Sequence, residues 1–147
     1  RTSGQPLASV SELRSIAGVT PEIYRALAPF VTVWPKEGGV VNILTASATV
    51  LRSLPVNDTL EPMSKEEGLR LVEARASGSI FSLETLLEDV LFSGIEGGEF
   101  STLLGERSGW FLLSASVEIA QRELHLYSVL ERDGASVFAR YRSQGEL

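Results

Sequence analysis

From Trp110 to Ile119 the chain alternates without a break. Phe111, Leu113, Ala115, Val117 and Ile119 fall on one side, and Trp110, Leu112, Ser114, Ser116 and Glu118 on the other. Successive side chains on extended backbone point to opposite faces, so this period of two predicts a strand. Residues 123–132 repeat the pattern with Leu124, Leu126 and Leu130 on one side. Asp133-Gly134 is a tight hairpin signal, and residues 137–141 supply a third strand. The result is an antiparallel meander with one apolar face. Three strands of that kind need another element laid across the face to be stable in water.

Upstream, the sequence has a different character. Ser9-x-x-Glu12 is a capping box before Val10, Leu13 and Ile16, and Gly18 ends that helix. Thr20-Pro21 opens the next as N-cap and first-turn proline, with Ile23, Tyr24, Leu27 and Val31 on its apolar side, and Pro29 distorts or stops it. Trp34 to Gly39 is a loop. Thr45 or Ser47 caps a helix bearing Val50, Leu51 and Leu54, and Ser64-x-x-Glu67 opens another with Leu69, Leu71, Val72 and Ala76. Ser82 opens a last helix, where Leu83, Leu86, Leu87, Val90 and Leu91 recur at helical spacing, and Ser101 to Leu104 reads as one further turn. The change of character near residue 97 predicts an α+β chain, with a helical domain over 1–97 and a small antiparallel sheet over 98–147. Arg1-Thr-Ser-Gly is neither an initiator nor a leader, so the chain reads as a piece of something longer. The cover for the sheet is then either the helical block or a helix upstream of Arg1.

Composition excludes several classes. With 147 residues and 44% hydrophobic side chains, the chain has enough apolar material to bury a core and is not a disordered segment. It has no cysteine, which removes disulfides and thiolate metal sites. No apolar run reaches the ~20 residues of a membrane helix. The single histidine, His125, sits in a strand whose neighbours Leu124 and Leu126 point the other way. A nucleophilic triad would need Ser128 or Ser114 with Asp133, and no nucleophile elbow accompanies them. Enzymatic chemistry therefore finds no carrier. Asp89, Glu96 and Glu99 gather around Gly94, Gly97 and Gly98, which makes Glu96 and Glu99 weak candidates for a calcium site, without the alternating aspartates of a calcium loop. Asn57-Asp-Thr59 spells a glycosylation sequon.

Two stretches have the look of helix-hairpin-helix units. One runs from Leu13 through Gly18-Val-Thr-Pro21 to Leu27, and the other from Val41 through Leu54-Pro55 to Leu86. In a nucleic-acid-binding module of this type, backbone N–H groups of a glycine turn grip a phosphate beside basic side chains. Here the first turn keeps only Gly18 and the second has no glycine. Residues 41–95 carry four basic side chains against eight acidic ones, and the whole chain has a formal charge of −6. Phosphate neutralisation dominates nucleic-acid affinity, so the alternative reading as a nucleic-acid-binding module is disfavoured.

The order of these parts resembles a known family. Ser9-Val-Ser-Glu-Leu13-Arg with Gly18-Val-Thr-Pro-Glu-Ile-Tyr24 and Leu27-Ala-Pro-Phe-Val-Thr32 is similar to the K-type minor pseudopilins of the type II secretion system. So are Val41-Asn-Ile-Leu-Thr-Ala-Ser-Ala48, Val50-Leu-Arg-Ser-Leu54-Pro, the Ser108-Gly-Trp-Phe-Leu112 strand opening and Tyr127-Ser-Val-Leu-Glu-Arg132-Asp. Leu44 stands where the family pattern has a polar residue. The resemblance implies a helical, SAM-like insertion followed by the C-terminal strands of a pilin-like domain. It implies an N-terminal apolar helix, absent here, that anchors the protein in the inner membrane and covers the sheet face bearing Phe111, Leu113 and Val117. It further implies a non-enzymatic, periplasmic part at the tip of the pseudopilus. Its partners would be the I- and J-type minor pseudopilins and other pseudopilins, with secreted substrate or the outer-membrane secretin beyond them. Some members of the family bind calcium.

Overall fold

The computed structural model describes residues 4, 6–56, 61–92 and 99–144. It is an α+β chain whose contacts divide it into two units. One combines the described residues of 1–39 with those of 109–144, and the other spans Val40–Ser108. This division differs from the change of sequence character near residue 97. The second unit is closed by a short parallel bridge, in which β1 (Val41–Asn42) pairs with β2 (Leu104–Gly105). The Val41 N–H donates to Leu103 O at 2.8 Å and the Ile43 N–H to Gly105 O at 2.9 Å. Two residues on each side give no periodicity to read, so this pairing has no sequence signature.

Between the bridge strands lie four short helices, α2 (Ala48–Arg52), α3 (Lys65–Ala76), α4 (Leu83–Leu87) and α5 (Glu99–Thr102). The expected caps form. Ser47 Oγ accepts from Val50 N, and Ser64 Oγ accepts from Glu67 N at 3.1 Å while the Glu67 carboxylate takes the Ser64 N–H at 2.7 Å. Thr85, rather than an acid, completes a second box by returning to the Ser82 N–H. The helices enclose Ile43, Leu51, Leu54, Met63, Leu71, Ile80, Leu86, Phe92 and Leu104. Leu44, apolar where a polar side chain was expected, packs against that cluster.

In this unit Leu69, Ala76 and Val90, expected on apolar helix faces, are exposed, as are Ile16, Ile23 and Leu27 in the other. Leu69 is exposed, because the neighbour that enters the α2–α3 contact is Gly68. Val90 is exposed because α4 stops at Leu87. Beyond it, Asp89 accepts the Leu91 N–H and takes both guanidinium nitrogens of Arg70, at 2.6 and 3.0 Å. Those bonds turn the chain out of helical geometry. They also hold the Asp89 carboxyl below the ordinary carboxylate range, chiefly through the bond from Arg70.

In the first unit, Thr20-Pro21 opens α1 (Pro21–Leu27), and Pro29 lies in a 3-10 turn at Ala28–Phe30. The segment Val10–Ser15 is a 3-10 helix rather than an α-helix. Ser9 Oγ accepts from Ser11 N, one residue too early for the expected box, and none of the segment's residues is buried to favour the longer turn. The sheet strands are β3 (Trp110–Ile119), β4 (Arg122–Asp133) and β5 (Ser136–Gln144), antiparallel in the order β3-β4-β5. The β4–β5 turn is Gly134-Ala135, one residue later than the expected Asp133-Gly134 turn: Asp133 ends β4 paired with Ser136, and Gly134 takes the first central position at φ +58°. The β3–β4 turn is made by Ala120 and Gln121, both at positive φ.

Candidate interaction surface

The sheet register sorts side chains by face. Residues directly opposite in an antiparallel pair share a face. Phe111 lies opposite Leu130, Leu113 opposite Ser128, Ala115 opposite Leu126 and Val117 opposite Leu124. On β5, Ala139 pairs with Leu130 and Val137 with Arg132, so they join the same side. This apolar face is open. Phe111, Leu113 and Val117 are 43%, 47% and 52% exposed, and Ile119, Leu124, Leu126 and Val137 are exposed as well. The three residues expected to face a covering helix therefore do share one face, and among the described residues they are left in solvent.

The opposite face has a partial cover from its own unit. Trp34 stacks on Trp110 with ring centroids 5.6 Å apart and on Tyr141 at 6.5 Å. Lys36 Nζ sits 4.9 Å from the Trp34 ring and donates to Leu7 O at 2.7 Å. Beside these rings Val129, paired with Leu112 and Tyr141, is only 6% exposed. The loop at 34–39 thus has a packing task that loop composition does not announce. The signal that could have found it is the two tryptophans themselves, since a large indole is seldom left fully in water.

The faces also differ in charge. Glu118, Glu123, Glu131 and Asp133 all fall on the Trp110 face, while Arg122, Arg132 and Arg142 fall on the apolar one. Arg140 occupies the bulge in β5 between the partners of Val129 and Leu130, and it bonds Glu131 on the Trp110 face. Period two within β4 separates Arg122 and Arg132 from Glu123, Glu131 and Asp133, and the two-residue turn at Ala120-Gln121, which neither residue type announces, fixes the face of β3 that each set joins.

The residues considered for chemistry do not converge. His125 is on the Trp110 face, stacked on Tyr127, with Nε2 3.5 Å from the Glu123 carboxylate. Ser128 is buried on the apolar face, opposite Leu113, so the sheet itself separates it from His125. Ser114 lies opposite Tyr127, and Asp133 at the far end of β4 opposite Ser136. Glu96 lies outside the described residues, as does Asn57, and Glu99 is in the first position of α5. Among the described residues no group of three acidic or histidine side chains is placed to hold a metal ion. No helix among them is long and apolar enough to cross a membrane. Of the hairpin turns weighed for phosphate binding, Gly18 adopts φ +91°, and the second turn runs into residues 57–60, outside the described set.

Comparison with known proteins adds a direct finding. Residues 1–36 match a family model described as type II secretion system, protein K. The chain is 28% identical over 148 aligned positions to the type II secretion system protein K of Pectobacterium carotovorum subsp. carotovorum, covering 99% of this chain. It is also 28% identical to the protein of the same name from Klebsiella pneumoniae, over 98% of this chain. The chain spans 44% of the length of each of these relatives. No solved structure matches it significantly.

Proposed function

We propose that this chain, which is similar to type II secretion system protein K, is the periplasmic part of a non-enzymatic minor pseudopilin. In this reading the whole protein stands in the bacterial inner membrane through an apolar N-terminal helix. It assembles at the pseudopilus tip with the I- and J-type minor pseudopilins and supports protein export. The face with Phe111, Leu113 and Val117 packs on that helix, and the helical unit enlarges the subunit. A fibre end has no identical neighbour to clash with such a bulk, so an enlarged subunit fits there better than mid-fibre.

The observation that carries the reading is the uncovered apolar face on a three-stranded sheet within a chain that spans 44% of its relatives. Contiguous apolar surface of this kind marks an interface rather than a solvated wall. Titratable groups and hydroxyls, by contrast, are scattered over both faces of the sheet.

Mixing this chain with the soluble domains of the I- and J-type minor pseudopilins tests it. A stoichiometric complex on size exclusion is the expected outcome. Three separate species at roughly tens of micromolar, where a standard-sized interface would be occupied, would overturn the tip assignment.

A further inference from the structure

The charge on the open face specifies its occupant more narrowly than apolarity does. The chain is acidic overall, with a formal charge of −6, yet the apolar face of the sheet carries Arg122, Arg132 and Arg142 and no acid. All four carboxylates of the three strands are on the other face. Arg122 and Arg142 make no ion pair with any described residue. Arg132 lies with its guanidinium carbon 5.8 Å from the Phe111 ring centroid, at the rim of the same face.

We infer that the occupant is an α-helix, of this same protein but outside these 147 residues, whose apolar stripe is flanked by carboxylates that pair with Arg122 and Arg142. The inference rests on the packing of this face against a helix proposed above and adds the chemistry of that helix. Three strands about 4.8 Å apart present a strip roughly 10 Å wide, the diameter of one helix and narrower than a second sheet requires. Along β4, Arg122 and Arg132 are ten positions apart. That spans about 33 Å, which a helix covers in about 22 residues. Arg142 lies opposite Ser128, six positions from Arg122 along β4. The two carboxylates are therefore separated by about 20 Å, or about 13 residues of helix. Two arginines set apart along an apolar strip fix the axial position of a helix that hydrophobic contact alone would leave free to slide.

Two synthetic 22-residue peptides with the same leucine–alanine stripe, one flanked by glutamate and one by lysine, serve as probes. Fluorescence anisotropy with this chain should show the glutamate peptide binding about tenfold more tightly, with the preference shrinking as salt rises. The double variant Arg122→Glu/Arg142→Glu, altered at two exposed positions, should reverse the preference, and Leu113→Asp should weaken both peptides. Equal binding of the two peptides overturns the charge inference and leaves the covering helix standing. If neither peptide binds, the covering-helix reading falls too. Binding to vesicles of one-third phosphatidylglycerol, with no peptide binding, would assign the face to an anionic lipid surface instead and overturn the inference.

Discussion

At the scale of single residues, Gly68 decides how closely two helices meet. A Cβ at this position would lie 2.9 Å from the Ala48 carbonyl oxygen and 3.2 Å from the Arg52 Cβ. Alanine is the better helix former by up to about 1 kcal/mol. The obstacle, however, is backbone, which cannot swing aside as a side chain can. We expect Gly68→Ala to lower unfolding free energy by about 1–3 kcal/mol, the usual range for overpacking, measured by chemical denaturation. A stabilised variant would show that the α2–α3 contact has slack. Nothing in the sequence marks this glycine, since an isolated glycine in a helical pattern reads only as a weak spot. Leu69 beside it has the conventional apolar signal and is exposed.

At the scale of elements, polar side chains tie short helices together that could not stand alone. Arg70 of α3 grips Asp89 just past α4, and Arg75 of α3 donates to the Ile43 and Ala46 carbonyls, each at 2.9 Å. Glu106, beyond β2, accepts the Leu83 N–H at the start of α4 at 2.7 Å. The depressed Asp89 pKa has a definite sign. Its contribution is fully present above the ordinary carboxylate value near pH ~4 and disappears as pH falls through the lower folded-state value. Asp89→Asn should therefore cost about 1 kcal/mol at neutral pH, where the pair is partly exposed, and the difference from the parent chain should close in strong acid. Thermal melts of both proteins from neutral pH down to acid would check this, and a constant offset would contradict it. The caps that begin α2, α3 and α4 are readable because a serine with its partner three residues on is a local signal. Ion pairs such as Arg70–Asp89, nineteen residues apart, have no local signal to read. The same divide applies to the open face. Its leucines and valines alternate visibly, and Arg122 and Arg132 share their parity along β4, whereas Arg142 is assigned to it by the bulge at Arg140.

At the scale of the whole molecule, the helical unit is an interruption rather than a preface. The chain leaves the sheet-bearing unit after Gly39 and returns to it at Gly109. Every member of the main apolar cluster lies between those points. The unit of about 70 residues is near the lower size limit for independent folding, but its ends are held together by the β1–β2 bridge. Residues 40–108 expressed alone should fold cooperatively, with a helical circular dichroism spectrum and a single sigmoidal thermal transition. A broad, non-cooperative melt would show that the unit depends on the rest of the chain. The sequence break near residue 97 reflects only the change from helical period to alternation. Which segments share a unit depends instead on Trp34 reaching Trp110 and Tyr141, and on Val41 reaching Leu104, separations that no window along the chain covers.

The parallel sense of that bridge has a mechanical meaning. The chain arrives at the start of β1 and departs from the end of β2, which run side by side in the same direction. Tension drawn along the backbone therefore loads the Val41–Leu103 and Ile43–Gly105 hydrogen bonds in shear, all at once, rather than peeling them apart in turn. While the bridge holds, a pull from one side of the insertion to the other bypasses the helices, leaving them mechanically at rest.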